Sequence, residues 1–210
     1  MAQEMVPQFE GKLSVILIFG APGSGKGTQG KFISYIGNHY HLSSGDIFRG
    51  LSPKSTAGKL YHQYASKGEL VPDETTVEIC RQYIIGLIAT NRYFPEKQLL
   101  LLDGLPRTKE QAEKLDQYFD VKKIILLDAP DRKVLIDRLT KRARTESRQD
   151  DQKTDVLHRR MRAYDEQTLA VLAHYPENLV ARFNADQKPL EVLRDILNGL
   201  CPILSGEESN

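Results

Sequence analysis

The segment Gly20-Ala21-Pro22-Gly23-Ser24-Gly25-Lys26-Gly27-Thr28 sets glycines around one lysine, directly after an apolar run ending at Phe19. Glycines let a backbone curl so that successive amide N–H groups, and the start of the helix that follows, converge on an anion. The lysine adds a compact charge for terminal phosphates, and a nearby hydroxyl can reach the shell of a magnesium ion. The spacing fits the G-x-x-x-x-G-K core of a phosphate-binding loop. Gly27 stands where Ser or Thr is usual, and the hydroxyl comes one residue later at Thr28. A glycine-rich turn with nothing bound is the plain alternative, but it would have no use for Lys26 between a strand and a helix.

A second informative stretch is Leu99-Leu100-Leu101-Leu102-Asp103-Gly104-Leu105-Pro106-Arg107. An apolar run ends here in a carboxylate, which in phosphate-loop proteins commonly meets magnesium directly or through water. On its own Asp103 reads equally well as a cap or turn residue. Asp128, closing Leu126-Leu127-Asp128, is a less favoured copy of the same idea.

Phosphoryl transfer asks a protein chiefly to align donor and acceptor and to neutralise the moving charge. Arginine suits that task because its planar fork meets phosphate oxygens in pairs and stays charged when water is excluded. The chain offers Arg49, Arg107, Arg138, Arg142, Arg148, Arg159 and Arg160. Singly, each reads as a solvated surface charge. Their placement after strand ends, where open α/β sheets bind ligands, favours reading them together.

The elements that must position these groups follow from the hydrophobic pattern. The runs Ser14 to Phe19, Leu99 to Leu102, Lys123 to Leu127 and Leu179 to Phe183 are continuous rather than alternating, as in strands covered on both faces of a parallel sheet. Helical stretches, Thr108 to Phe119, Asp131 to Arg144 and Asp155 to Tyr175, lie between them. The pattern predicts a doubly wound α/β sheet with right-handed crossovers. Ser44 to Lys97 is too long for one crossover after His41 to Ser43, so it should hold an inserted helical subdomain. Within it Gly50 to Gly58 reads as a loop and Leu70 to Asp73 as a turn into a helix over Glu74 to Ile88.

Composition narrows the function classes. A chain of 210 residues, 40% hydrophobic, supports one sizeable core, so residues 1–210 are read as a single domain with insertions. Net charge is +1, which offers no bulk field for nucleic acid or an anionic membrane. Cys80 and Cys201 form neither a C-x-x-C pair nor a Cys/His ligand spacing, and are expected to be buried or half-buried thiols. The first residues lack a signal-peptide pattern, and no apolar run approaches the roughly 20 residues of a membrane span. A cytoplasmic protein is expected, with a frayed tail at residues 205–210.

From about Val15 to Val192 the chain resembles the adenylate kinases of the nucleoside monophosphate kinase family. Five blocks carry the likeness in order: Gly25-Lys26-Gly27-Thr28; Ser43-Ser44-Gly45-Asp46 with Arg49; Gly68-Glu69-Leu70-Val71-Pro72-Asp73; Asp103 to Thr108 with Gln111; and Arg138 to Arg160 with Asp150-Asp151. The resemblance implies a phosphate-loop NTPase fold, with a central five-stranded parallel sheet flanked by helices. It also implies a helical monophosphate-binding insertion at residues 44–88 and a short lid at residues 143–149. By this likeness Gly23, Ser24, Gly25, Lys26, Gly27 and Thr28 cradle the donor ATP, Arg138 and Arg142 meet it, and backbone near Lys188 touches its adenine. Arg49 and Arg107 grip the acceptor phosphate, while Leu70 and Val71 line its base, joined by Ser44, Gly104 and Gln111. Arg148 and Arg160 close over the transferring group. Lys26, Arg107, Arg142, Arg148 and Arg160 form the implied catalytic set, with Mg2+ met by Thr28 and Asp103 through water.

The chain departs from the family in several places. Leu105 stands for the usual Phe and Ser44 for the usual Thr, and Asp151 to Tyr164 runs one residue long; the spacing to Tyr164 favours Arg160 over Arg159. The lid, Ala143-Arg144-Thr145-Glu146-Ser147, has none of the cysteines that hold zinc in long-lid members, so no zinc site is expected.

The implied reaction is ATP plus AMP giving two ADP, by a monomer with neither nucleic-acid nor membrane partners. A UMP/CMP kinase is the near rival, and a non-catalytic nucleotide-binding module the distant one. Pyrimidine kinases of the family tend to carry Asn at the positions matching Thr108 and Gln111 and Ala at that matching Ser44, and this chain shows none of the three. A Gln111 amide can accept from adenine's exocyclic N–H and donate to its neighbouring ring nitrogen. A pure binder gains little from Lys26, Arg107, Arg142 and Arg148 placed for a transition state.

Overall fold

The computed structural model describes residues 11–145 and 154–206. Its centre is a sheet of five parallel strands in the order β2-β3-β1-β4-β5. These are β1 (Leu13–Gly20), β2 (Tyr40–Ser43), β3 (Leu100–Asp103), β4 (Phe119–Asp128) and β5 (Val180–Asn184). The continuous apolar runs have the expected cause, since both faces of the sheet are covered. Val15, Leu17 and Phe19 of β1 enter one core with Leu100, Leu102, Ile124 and Leu126. Ile16 and Ile18 point the other way, into a core with Leu101, Ile125, Leu127 and Ile196. Fully burying one such side chain contributes about 1.5–3 kcal/mol.

The helices are α1 (Lys26–Gly37), α2 (Ser44–Arg49), α3 (Thr56–Ala65), α4 (Asp73–Ala89), α5 (Lys109–Leu115), α6 (Arg132–Thr145), α7 (Thr154–Leu172) and α8 (Pro189–Leu204). Short polar side chains start several of them. Ser43 caps α2, Ser55 caps α3, and the Thr108 hydroxyl accepts from the Gln111 N–H at 3.1 Å to cap α5. Thr108 therefore has a structural job at the head of α5. Three helices, α2 to α4, fill the long interval between β2 and β3.

Several boundaries moved. The strand expected over Lys123 to Leu127 begins at Phe119, because Asp120, Lys122 and Lys123 interrupt the apolar run although the backbone there already pairs with β1. The strand expected from Leu179 starts at Val180, after a single 3-10 turn over Glu177–Leu179. Helix α8 has no counterpart in the sequence reading, although Val192, Leu193, Ile196, Leu200 and Leu204 recur at helical spacing and are buried. The cysteines divide: burial pushes the Cys80 thiol up to about 12, whereas Cys201 is exposed, against expectation, on the outer side of α8. Both are free. Of the expected tail, Ser205 and Gly206 follow α8 as a turn, and 207–210 lie outside the described residues.

Candidate active site

The carboxyl ends of β1, β2 and β3 open into one cleft of about 310 Å³, large enough to seat nucleotide groups. On one side runs the loop Gly20 to Thr28. Its curl depends on Gly23, whose φ of +87° suits glycine and where a Cβ would sit 2.7 Å from the Leu135 carbonyl oxygen. The loop thus lies against α6 with no room for a side chain. Gly25 to Thr28 line the cleft, whereas Ser24 is buried beneath it.

Lys26 donates to the carbonyl oxygens of Gly20 at 2.6 Å and Ala21 at 3.2 Å. Burial lowers its pKa to about 8; the Asp103 carboxylate opposes that, and Arg107, Arg160 and Arg142 reinforce it. A lysine perturbed by three gathered cations marks the place where a polyanion would relieve repulsion. Asp103, 7% exposed, lines the same cleft, while Asp128 is exposed and does not. Thr28 and Asp103 offer hard oxygen donors of the kind Mg2+ takes alongside substrate phosphates and water.

On the other side the turn after β3 organises the polar groups. Gly104, with φ +82°, directs its carbonyl so that it accepts both from Ser44 Oγ at 2.9 Å and from Arg107 Nε at 2.7 Å. The Leu105–Pro106 peptide that follows is cis. Loss of solvation within the cleft, then the like charge of Arg160, holds the Arg107 pKa below its ordinary value, with Asp103 opposing. Arg49 pairs with Asp46 at 2.5 Å. Gln111 is buried, its Oε1 accepting from the Arg107 N–H and its Nε2 donating to Asp73 Oδ1, both at 2.7 Å. Leu70 and Val71 line the apolar end, where the Val71 carbonyl accepts from Thr76 Oγ1 at 3.1 Å.

A family model described as adenylate kinase matches residues 18–180. The chain belongs to the adenylate kinase family. It is 34% identical over 195 residues to an adenylate kinase of Flavobacterium psychrophilum, covering 88% of this chain and 98% of the relative. Against adenylate kinase isoenzyme 1 of Bos taurus the identity is 32% over 177 residues, 83% of this chain and 88% of the relative. A UMP-CMP kinase of Lentinula edodes is 30% identical over 205 residues, 94% of this chain and 90% of the relative.

For this member of the adenylate kinase family, the cleft brings together most of the residues singled out in the sequence. Gly23, Gly25 to Thr28, Ser44, Arg49, Leu70, Val71, Asp103, Gly104, Arg107, Gln111, Arg142 and Arg160 all line it. Arg160 faces the cleft, while Arg159 is exposed. Arg138 and Lys188 stand apart. The Arg138 guanidinium donates to the carbonyls of Ala185 at 2.9 Å and Gln187 at 3.3 Å, and Lys188 caps α8 through its N–H to Glu191 Oε2. Arg148, with residues 146–149 of the expected lid, lies outside the described residues.

Several residues at or beside the cleft carried no signal in the sequence. Tyr61 on α3 stacks against Phe48 at 5.6 Å beside the acceptor end. Thr168 and Gln167 reach the cleft from α7. His41 Nε2, buried, stands 3.9 Å from Asp103 Oδ2. No helix among the described residues is long and apolar enough to cross a membrane.

Proposed function

We propose that this protein catalyses reversible transfer of the γ-phosphoryl group of Mg-ATP to AMP, giving two ADP. The carrying observation is that one cleft holds a phosphate loop with Lys26 at one end and Arg49, Arg107, Gln111, Leu70 and Val71 at the other, with Arg142 and Arg160 also facing it. An AMP phosphate oxygen forms a bond to the γ-phosphorus as the bond to the β–γ bridging oxygen breaks, and the electron pair leaves with the first ADP. The loop amides and Lys26 hold the donor's phosphates, Arg49 and Arg107 fix the acceptor phosphate, and Arg142, Arg148 and Arg160 neutralise the group in flight. Mg2+, when bound, would be held by Thr28 and Asp103 and would supply positive charge against the transferring phosphates.

The helical insertion at residues 44–88 carries the acceptor, and the lid at residues 143–149 excludes water that would otherwise take the phosphoryl group. Arg138, through its bonds to the Ala185 and Gln187 carbonyls, acts on the donor side by holding the segment that leads to Lys188, whose backbone would touch the donor adenine. The reading carries with it a monomer acting on ATP, AMP and ADP in the cytoplasm. Its rival is a pyrimidine monophosphate kinase, supported by the likeness to the UMP-CMP kinase. Ser44, Thr108 and Gln111 favour AMP. A coupled assay offering each monophosphate in turn with Mg-ATP decides between them: turnover with AMP supports the reading, and turnover only with CMP or UMP replaces it.

A further inference from the structure

A carboxamide is almost symmetric in shape, so what faces a ligand depends on which end is oxygen and which nitrogen. Gln111 is 1% exposed and lines the acceptor end of the cleft. Its two internal partners have fixed and opposite polarity. A backbone N–H, that of Arg107, can only donate, and it takes Oε1 at 2.7 Å. A carboxylate, that of Asp73, accepts Nε2–H at 2.7 Å. An amide turned over would place N–H against N–H and oxygen against oxygen, and with Gln111 buried and Asp73 half-buried both mismatches are costly. Held this way, Oε1 keeps a free lone pair and Nε2 a free N–H.

We infer that Asp73 is a positioning residue that fixes the orientation of the Gln111 amide and so makes the acceptor site select 6-amino over 6-oxo purine monophosphates. The inference rests on the reading of Gln111 as the group that meets the acceptor base. Adenine presents an N–H donor at the 6-position beside an acceptor ring nitrogen, which a fixed Oε1 and Nε2–H match. Hypoxanthine and guanine present the reverse order, an acceptor oxygen beside a ring N–H, and would match only the turned amide. Asp73 itself does not line the cleft; it is the first residue of α4 and acts across 38 positions of sequence. The competing account is that Asp73 merely favours the N-terminus of α4, where a carboxylate meets the helix dipole. That account predicts a stability change and no change in base preference.

The test compares kcat/KM for AMP and for inosine monophosphate, at saturating Mg-ATP, in the unmodified protein and in Asp73→Ala, Asp73→Ser and Asp73→Asn. The ratio of the two constants is independent of how much of a variant is folded. Asp73→Asn keeps an acceptor oxygen and should hold the AMP preference to within about threefold. Asp73→Ala removes the acceptor and should lower the ratio at least about tenfold, mainly through a raised KM for AMP with kcat retained. Asp73→Ser, whose hydroxyl suits a helix start but can donate as well as accept, should drift the same way and serves if the alanine variant does not fold. An unmoved ratio in both Ala and Ser variants overturns the inference and leaves the function standing. An unmodified protein using AMP and inosine monophosphate equally well overturns the role of Gln111 with it, and one that does not use AMP at all removes the proposed function instead.

Discussion

Lys26 Nζ lies 2.6 Å from the carbonyl oxygen of Gly20, so the loop's cation is folded back onto the end of the strand that precedes it. Burial, reinforced by three neighbouring arginines and opposed by the Asp103 carboxylate, lowers the pKa of this ammonium to about 8. A polyphosphate binds the charged form. KM for ATP should therefore be flat below neutrality and rise as pH passes 8, by up to about tenfold per unit. Initial rates at fixed free magnesium across this range check it, and a KM constant to high pH contradicts it.

Stability should run the other way. The folded pKa of Lys26 is below its ordinary value of 10.5, so between about 8 and 10.5 the unfolded chain binds the additional proton and this group adds stability as pH rises through that window. Below pH 8 the buried charge is a cost. Lys26→Met should cut kcat by about three or more orders of magnitude while leaving the thermal midpoint at pH 7 unchanged or raised. Near-normal kcat, or a large drop in midpoint, would count against this placement of the side chain.

These two expectations lean on a part of the site that was legible in the sequence, and the reason is locality. The loop from Gly20 to Thr28 is contiguous, so its chemistry could be read without knowing the fold. The same holds for Leu99 to Arg107, where strand, carboxylate, turn and arginine follow one another. What could not be read was contact between distant elements: Asp73 with Gln111, Tyr61 with Phe48, or Gln167 and Thr168 reaching the cleft from α7. Gln111 shows the difference. Its type suggested a base reader, but that its amide is already engaged at both ends emerges only when α4 packs on α5. Helix α8 is legible by the helical spacing of its buried Val192, Leu193, Ile196, Leu200 and Leu204.

Gly104→Ala should damage the acceptor side selectively. A Cβ there would stand 2.7 Å from Ser44 Oγ and 3.2 Å from Arg107 Nη2, at a φ of +82° that costs any L side chain. A stability loss of about 1–3 kcal/mol is expected, with KM for AMP raised more than KM for ATP. Chemical denaturation and paired kinetics check this; equal effects on both substrates would argue that the turn does not organise the acceptor end.

Chelation should abolish turnover and leave the thermal midpoint where it was. Among the described residues no group of three His, Cys, Asp or Glu side chains is placed to hold a metal, and the lid segment Ala143 to Ser147 contains neither Cys nor His. A metal required for folding would need such ligands. A chelator-induced fall in midpoint, restored by zinc and not by magnesium, is the contrary result.

Base preference tests the central claim most directly. Gln111 keeps one donor and one acceptor for the base, and a pyrimidine is too small to reach both. Each buried hydrogen bond left unmade costs about 1–3 kcal/mol, so with two unmade kcat/KM for AMP should exceed that for CMP or UMP by at least about 30-fold. Gln111→Ala should erode that margin while leaving KM for ATP nearly unchanged. A purified, unmodified protein that phosphorylates AMP with this margin over CMP bears out the account, and one with comparable kcat/KM for AMP and CMP contradicts it.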